Sequence, residues 1–84
     1  MDAVDGNAIA GQLDEYFGAE MTTVRGTCAH CGTGAMIAEL AVYNRAPGAV
    51  ARCRTCGSVV LVVVEIREAT HVNHDGFHLE MPGA

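Results

Sequence analysis

The amino-acid sequence predicts a small β-rich zinc ribbon, with an antiparallel sheet of about three to five strands and one N-terminal α-helix. The first observation behind this prediction is a pair of Cys-x-x-Cys motifs at residues 28–31 and 53–56, each followed directly by glycine. The second is the apolar run at residues 59–64, which is rich in valine and typical of a buried strand. A third is an amphipathic pattern near the N-terminus, which predicts the helix.

The two cysteine motifs have the spacing of a metal site. Two thiolates on one tight turn can bind the same side of a tetrahedral ion, and the glycine after each motif supplies the positive φ that the turn needs. Because Zn²⁺ favours four thiolates at about 2.3 Å, we predict one zinc ion per chain. The predicted ligands are the four cysteines of the chain: Cys28, Cys31, Cys53 and Cys56. Such a closed shell leaves no position for water or substrate, so we predict that the protein is not an enzyme.

Other uses of the cysteines stay open. Four cysteines allow two disulfides, but residues 1–6 lack the basic and apolar regions of a secretory signal, which predicts a cytoplasmic chain with reduced thiols. A thioredoxin-like dithiol would place its first cysteine at a helix N-terminus, whereas strand-like sequence follows both motifs. Iron remains open as well, because ligand type alone does not separate it from zinc.

Length and charge narrow the functional classes. At 84 residues the chain is near the size at which a hydrophobic core alone is marginal, so a bound metal would add stability that the fold needs. The formal net charge is −5, and the five basic residues are all arginine. Nucleic-acid-binding domains usually carry clustered lysine and arginine, so we expect no general affinity for nucleic acid. No apolar run is long enough to span a bilayer, so we expect no membrane partner.

The helix is predicted from an apolar face made by Ile9, Leu13 and Phe17. Asp5 suits the N-cap, and Gly18 suits the position after the last helical residue. An isolated helix of about a dozen residues is marginal in water, so we expect this face to pack on a sheet. We expect the helix to pack on the apolar strand at residues 59–64, either of the same chain or of a second copy.

Alternation of apolar and polar residues predicts the strands. A strand-like stretch at 20–27 leads into the first cysteine motif, and residues 35–43 form one continuous predicted strand. Residues 49–52 return into the second motif. Residues 58–68 form the strongest predicted strand. Because it has apolar residues on both faces, we expect another part of the structure to pack on each face.

The tail is less regular and contains His71, His74 and His78. Histidines at such spacing can chelate a metal. We favour a solvated turn at 73–76, followed by a short edge strand at 77–81, and assign the histidines no role. We expect one domain over the whole chain, in three parts: a helix at 1–18, a ribbon at 19–68 and the tail at 69–84.

Several short motifs carry a family resemblance. They are the Asp-Gly-Asn-Ala-Ile stretch at 5–9, Glu-Met-Thr at 20–22, the two cysteine motifs, and Arg-Ala-Pro-Gly at 45–48. Together they resemble a family of small actinobacterial proteins known only as a domain of unknown function. The resemblance spans most of residues 1–68 and implies a zinc-ribbon-like fold with an N-terminal helix, and no activity. The cysteine motifs are also similar to those of rubredoxins, although the chain has no tryptophan.

We therefore predict a non-catalytic zinc-binding module that acts as a protein-interaction or regulatory adaptor for an unidentified protein partner. A homodimer is one form that this partnership can take. The first alternative is a nucleic-acid-binding ribbon that uses four arginines: Arg25, Arg45, Arg52 and Arg54. The second is a rubredoxin-like carrier that holds iron and transfers electrons.

Overall fold

The computed structural model describes residues 4–45 and 48–80, except for the side chain of Arg45. A 3₁₀ turn at Gly6–Ile9 leads into helix α1, Ala10–Phe17. Seven strands follow: β1 Arg25–Cys28, β2 Gly34–Met36, β3 Ala41–Arg45, β4 Gly48–Arg52, β5 Val59–Ile66, β6 Ala69–Asn73 and β7 Phe77–Leu79. None of the described helices is long and apolar enough to cross a membrane.

The strands form two antiparallel sheets. The small sheet has three strands in the order β2-β1-β7, and the large sheet has four in the order β3-β4-β5-β6. The predicted fold class, a small β-rich chain with one N-terminal helix, is therefore confirmed. The strands are more numerous than expected, and they are divided between two sheets.

The division arises within residues 35–43, which were predicted as one strand and are not. A 3₁₀ turn at Ile37–Glu39 separates β2 from β3. The Glu39 carboxylate accepts the Met36 N–H at 2.7 Å, and the Leu40 N–H donates to the Ile37 carbonyl at 3.1 Å. Ile37 and Leu40 are both buried. In a straight strand two residues at this odd spacing would face opposite sides, so only a turn brings both into the core.

The stretch at 20–27 is also shorter as a strand than predicted. Only Arg25–Cys28 pairs as a strand, because a turn precedes it. The Glu20 carboxylate accepts the backbone N–H of Thr22 at 2.5 Å and also its hydroxyl, and the Val24 N–H donates to the Met21 carbonyl at 3.0 Å. Local bonds of this kind compete with strand pairing.

The N-terminal helix ends where predicted, but the α-helix begins later than predicted, at Ala10, because the residues after Asp5 form a 3₁₀ turn. The Asp5 carboxylate accepts the Asn7 N–H at 3.0 Å, and the first turn is 3₁₀. Gly18 ends α1 with φ of 73°, and its N–H donates to the Asp14 carbonyl at 2.7 Å. The cap and the terminating glycine therefore act where the sequence pattern predicted.

The core lies between the helix and one face of the large sheet. Ile9 and Leu13 are fully buried in the same apolar cluster as Leu61 and Val63 of β5. Phe17 packs against the edge of this cluster. The strand nearest to the helix is β6, in a part of the tail that was expected to be less regular.

The opposite face of the large sheet, which we call the outer face, includes four apolar residues: Val50, Val62, Val64 and Ile66. Cross-strand pairing places Tyr43, His71 and Asn73 on the same face. Side chains alternate between the two faces of a strand, so these residues point away from the helix. The three valines are half-buried, and Ile66 is 52% exposed. The second cover that the apolar strand was expected to need is absent from the described part of the chain.

Candidate metal centre

The cysteines lie on two turns, one from each sheet. The first turn, residues 28–33, connects β1 to β2 of the small sheet. The second, residues 53–58, connects β4 to β5 of the large sheet. We call them the first and second knuckle. The site therefore lies where the two sheets meet.

Both knuckles have the same backbone hydrogen bonds. In the first, the Gly32 N–H donates to the Cys28 carbonyl at 2.9 Å, and the Cys28 N–H donates to the Thr33 carbonyl at 2.9 Å. In the second, the Gly57 N–H donates to the Cys53 carbonyl at 2.8 Å, and the Cys53 N–H donates to the Ser58 carbonyl at 3.0 Å. The two glycines have φ of 79° and 77°, the left-handed conformation for which glycine was predicted.

The two knuckles bring the four cysteine sulfurs together. All four Sγ atoms lie within 4.8 Å of one another. Across the knuckles, Cys28 Sγ lies 3.7 Å from Cys56 Sγ, and Cys31 Sγ lies 3.7 Å from Cys53 Sγ. A tetrahedral ion with metal–sulfur bonds of about 2.3 Å separates its sulfurs by about 3.8 Å. A disulfide would need about 2.05 Å, and all four cysteines are free. The cluster can therefore hold a metal ion.

Each knuckle contributes one buried and one exposed cysteine. Cys28 and Cys53, which come first in their motifs, are buried, whereas Cys31 and Cys56 are exposed. One side of the cluster thus faces the protein core and the other faces solvent.

The surroundings of the sulfurs affect their ionisation. Burial raises the pKa of the Cys28 thiol. Hydrogen bonds from the Thr33 hydroxyl and backbone N–H lower the pKa of Cys31, and those from Ser58 lower the pKa of Cys56 to about 6. Metal binding requires thiolates, and these hydrogen bonds favour the thiolate form of the two exposed cysteines, Cys31 and Cys56. Thr33 and Ser58 were not predicted, although their position two residues after each second cysteine is a usable signal.

A small cavity adjoins the buried half of the site. It measures about 180 Å³ and is lined by residues that include Cys28, Cys53, Leu40 and Phe77. Phe77 is buried, and its ring lies where a Cβ on Gly26 would stand, at 2.4 Å. Because Gly26 has no side chain, the Phe77 ring of β7 can pack beside the cysteines.

Two of the arginines considered for nucleic-acid binding make bonds within the chain. Arg54 Nε donates to the Glu39 carbonyl at 2.8 Å, and Arg52 Nη1 donates to the Gly57 carbonyl at 2.8 Å. The Arg52 guanidinium also lies 5.9 Å from the centre of the Tyr43 ring. These contacts attach the second knuckle to its own sheet and to the 3₁₀ turn. The side chain of Arg45 lies outside the described residues.

The tail histidines do not form a second metal site. Among residues 4–45 and 48–80, the four cysteines are the one group of three or more possible ligands that lie close enough to hold an ion. His71 and His78 are exposed, and the His74 ring lies 6.0 Å from the Phe17 ring. The favoured interpretation, a turn and a short edge strand, agrees with β7 at the edge of the small sheet.

The pattern that defines a family of unknown function, DUF6510, matches residues 1–84. The match includes the tail, over which the resemblance seen in the sequence faded. No curated protein and no solved structure matches the chain.

Proposed function

Since the chain belongs to the family of unknown function DUF6510, we propose its function from its own geometry: it is a non-catalytic module with one structural zinc ion. The observation that carries this proposal is the spacing of the four sulfurs, with two cross-knuckle distances of 3.7 Å. These fit a tetrahedral shell of four thiolates, for which zinc is the usual structural ion.

The proposed role of the ion is to join the two sheets. Each knuckle is the connection between two neighbouring strands of one sheet, and the cross-knuckle sulfur pairs link one sheet to the other. An ion bound by all four sulfurs has no open position, so it supplies no reactive site. The activity of the module then depends on its surfaces.

We propose that the working surface contacts another protein, as an interaction or regulatory adaptor. The outer face of the large sheet supports this role. It presents three half-buried valines and the exposed side chain of Ile66. Apolar surface that the chain does not cover itself is typical of protein contacts.

Nucleic-acid binding is the weaker candidate. Arg52 and Arg54 are engaged with backbone carbonyls of the chain, and the net charge is −5. If the arginines did bind nucleic acid through its phosphates, the affinity would fall steeply with added salt. A gel-shift that persists near physiological salt would reverse this ranking.

Photocrosslinking tests the adaptor role directly. A photoreactive residue replaces Ile66 on the outer face, and a matched variant carries it at the exposed position Thr23, in the turn before β1. In the native host, the variant at position 66 is expected to crosslink a defined protein that the variant at position 23 does not. Identical crosslinked species from both positions would contradict the role of the outer face. Crosslinks only between copies of the chain would identify the partner as a second copy.

A further inference from the structure

We propose that a cleft at the C-terminal end of helix α1 binds the guanidinium group of an arginine side chain on the partner protein. This inference rests on the proposed interaction role, and it names the chemistry that the partner presents. The cleft is separate from the outer face and contains none of the four cysteines. It measures about 350 Å³, and its lining residues are Phe17, His74, Asp75, Phe77, His78 and Leu79.

Aromatic rings form much of the wall. The Phe17 and His74 rings lie 6.0 Å apart, tilted by 49°, and both residues are half-buried. Tyr16 packs edge-on against Phe17, with ring centres 4.9 Å apart. Phe17 is thus fixed in place by neighbouring rings while part of it remains accessible. The face of an aromatic ring attracts a cation, and a planar guanidinium stacks on such a face.

The electrostatics of the cleft favour a cation over an anion. Asp75 is its one acidic lining residue, it is exposed, and no lysine or arginine lines the cleft. The helix ends at Phe17, so the negative end of its dipole lies beside the cleft, and no basic residue in the last turn offsets that charge.

Arginine suits this combination better than other basic or apolar groups. A guanidinium is weakly hydrated, stacks on rings and can donate two parallel hydrogen bonds to one carboxylate such as that of Asp75. The ammonium of lysine is compact and strongly hydrated, so it gains less from an aromatic wall. A neutral side chain would leave the carboxylate and the helix end without a counter-charge.

The wall of the cleft is attached to the first knuckle. The Ala29 N–H donates to the Gly76 carbonyl at 2.9 Å, and Phe77 lines both this cleft and the cavity beside the cysteines. Gly76 in turn packs so tightly on β5 that an added Cβ would stand 2.8 Å from the Val60 Cα. The first knuckle therefore holds residues 74–79 in position, and on the proposed function the cleft depends on the folded metal centre.

Peptide titration of the zinc-loaded protein, followed by ¹⁵N–¹H NMR spectroscopy, tests the proposal. The probe is a capped Gly-Arg-Gly peptide, compared with peptides carrying citrulline, which has the same shape without charge, and lysine. We expect shifts confined to Phe17 and residues 74–79, with citrulline binding at least about tenfold more weakly through the lost ion pair and cation–π contact. Lysine is expected to fall between the two.

Three variants locate the contacts. Asp75→Asn is expected to weaken arginine binding by up to about fivefold, as for an exposed charge pair. Phe17→Leu keeps apolar bulk but removes the ring, and is expected to weaken binding by about threefold. Glu65→Gln is the matched control, since it removes one negative charge beside a different cavity, formed with Glu15, Glu68 and Thr70. It is expected to leave the affinity unchanged.

Several outcomes would overturn the proposal. They are shifts spread over the whole surface, equal affinity for the citrulline or lysine peptide, and equal weakening by Asp75→Asn and Glu65→Gln. Failure of the metal proposal looks different, because the amide signals of the small sheet would then stay dispersed after zinc is removed with a chelator, whether or not any peptide binds. Crosslinking through the outer face is measured separately and does not depend on this cleft.

Discussion

The two sheets of this protein are stabilised in different ways. The large sheet has strands of five to eight residues, and its inner face is a continuous apolar surface that includes Val42, Ala51, Leu61 and Val63. The small sheet has strands of only three or four residues and contains Gly26 and Gly34. Phe77 is its largest buried side chain. Strands so short bury little surface of their own.

The difference shows where the proposed metal is needed. The large sheet and the helix supply many residues to the hydrophobic core, whereas the strands of the small sheet add only Cys28 and Phe77 to it as buried apolar side chains. The small sheet also carries half of the cysteines. Structural zinc contributes on the order of 10–16 kcal/mol in small domains, coupled to folding. We infer that the ion fixes the small sheet onto the large one, and each prediction below tests one side of this contrast.

The largest effect is expected from removing a cysteine. Cys28→Ser and Cys53→Ser each remove a buried ligand, so we expect loss of metal and of the folded small sheet, because ligation and folding are coupled. Thr55→Ala is the control, since Thr55 lies exposed in the second knuckle and is no ligand. Circular dichroism and hydrogen exchange measure the outcome. A Cys28→Ser variant that keeps protected amides in β1, β2 and β7 would contradict the account.

The second largest effect is expected from a substitution on the side of the core that the helix forms. Leu13→Ala empties a fully buried position on α1, and we expect it to lower the free energy of unfolding by about 2–5 kcal/mol. Glu15→Ala, on the exposed side of the same helix, should change it by less than about 0.5 kcal/mol. Thermal unfolding of the zinc-loaded proteins makes the comparison. Equal effects would mean that the helix does not pack on the sheet in solution.

A glycine pair tests the packing of the small sheet. A Cβ at Gly26 would stand 2.4 Å from the Phe77 ring, whereas a Cβ at Gly34 has no neighbour closer than 3.8 Å. We therefore expect Gly26→Ala to cost about 1–3 kcal/mol, as overpacking does, and to weaken metal retention against a chelator. Gly34→Ala, on the paired strand, should be close to neutral. Similar losses from both variants would show that the ring does not lie over Gly26.

The smallest effect is expected at the turn between β5 and β6. Arg67 and Glu68 both have positive φ, 51° and 66°, in a two-residue hairpin turn where Asn and Gly are preferred. Glu68→Gly should relieve this strain and raise the free energy of unfolding by about 1 kcal/mol, while Glu68→Ala should not. Metal affinity should be the same in both variants. Destabilisation by glycine would indicate that the turn has another conformation in solution.

The sequence alone predicts the parts whose determinants are local. The cysteine spacing, the glycines after each motif and the cap at Asp5 act within a few residues, and all have the expected geometry. The break at Ile37–Glu39 could not be predicted in this way. The Ile37 N–H donates to the Val24 carbonyl at 3.0 Å and the Ala38 N–H to the Thr22 carbonyl at 2.9 Å, so distant backbone fixes the turn.

The same reasoning explains which parts of the site were missed. Phe77 is far from the cysteines in the chain, and only the pairing of β7 with β1 brings it beside them. The cleft combines the end of the helix with residues 74–79, which the tail pattern alone did not connect. Contacts of this kind follow from topology and not from local spacing.

The central claim is that four thiolates hold one zinc ion, and metal analysis with intact mass measurement tests it most directly. The protein is purified without added metal or chelator, and its zinc and iron contents are measured together with its absorbance spectrum. We predict one zinc per chain, no visible absorbance and a denatured mass that corresponds to four free thiols. Iron at one per chain with a coloured spectrum, or no metal and a mass four hydrogens lower, as two disulfides require, would contradict the account.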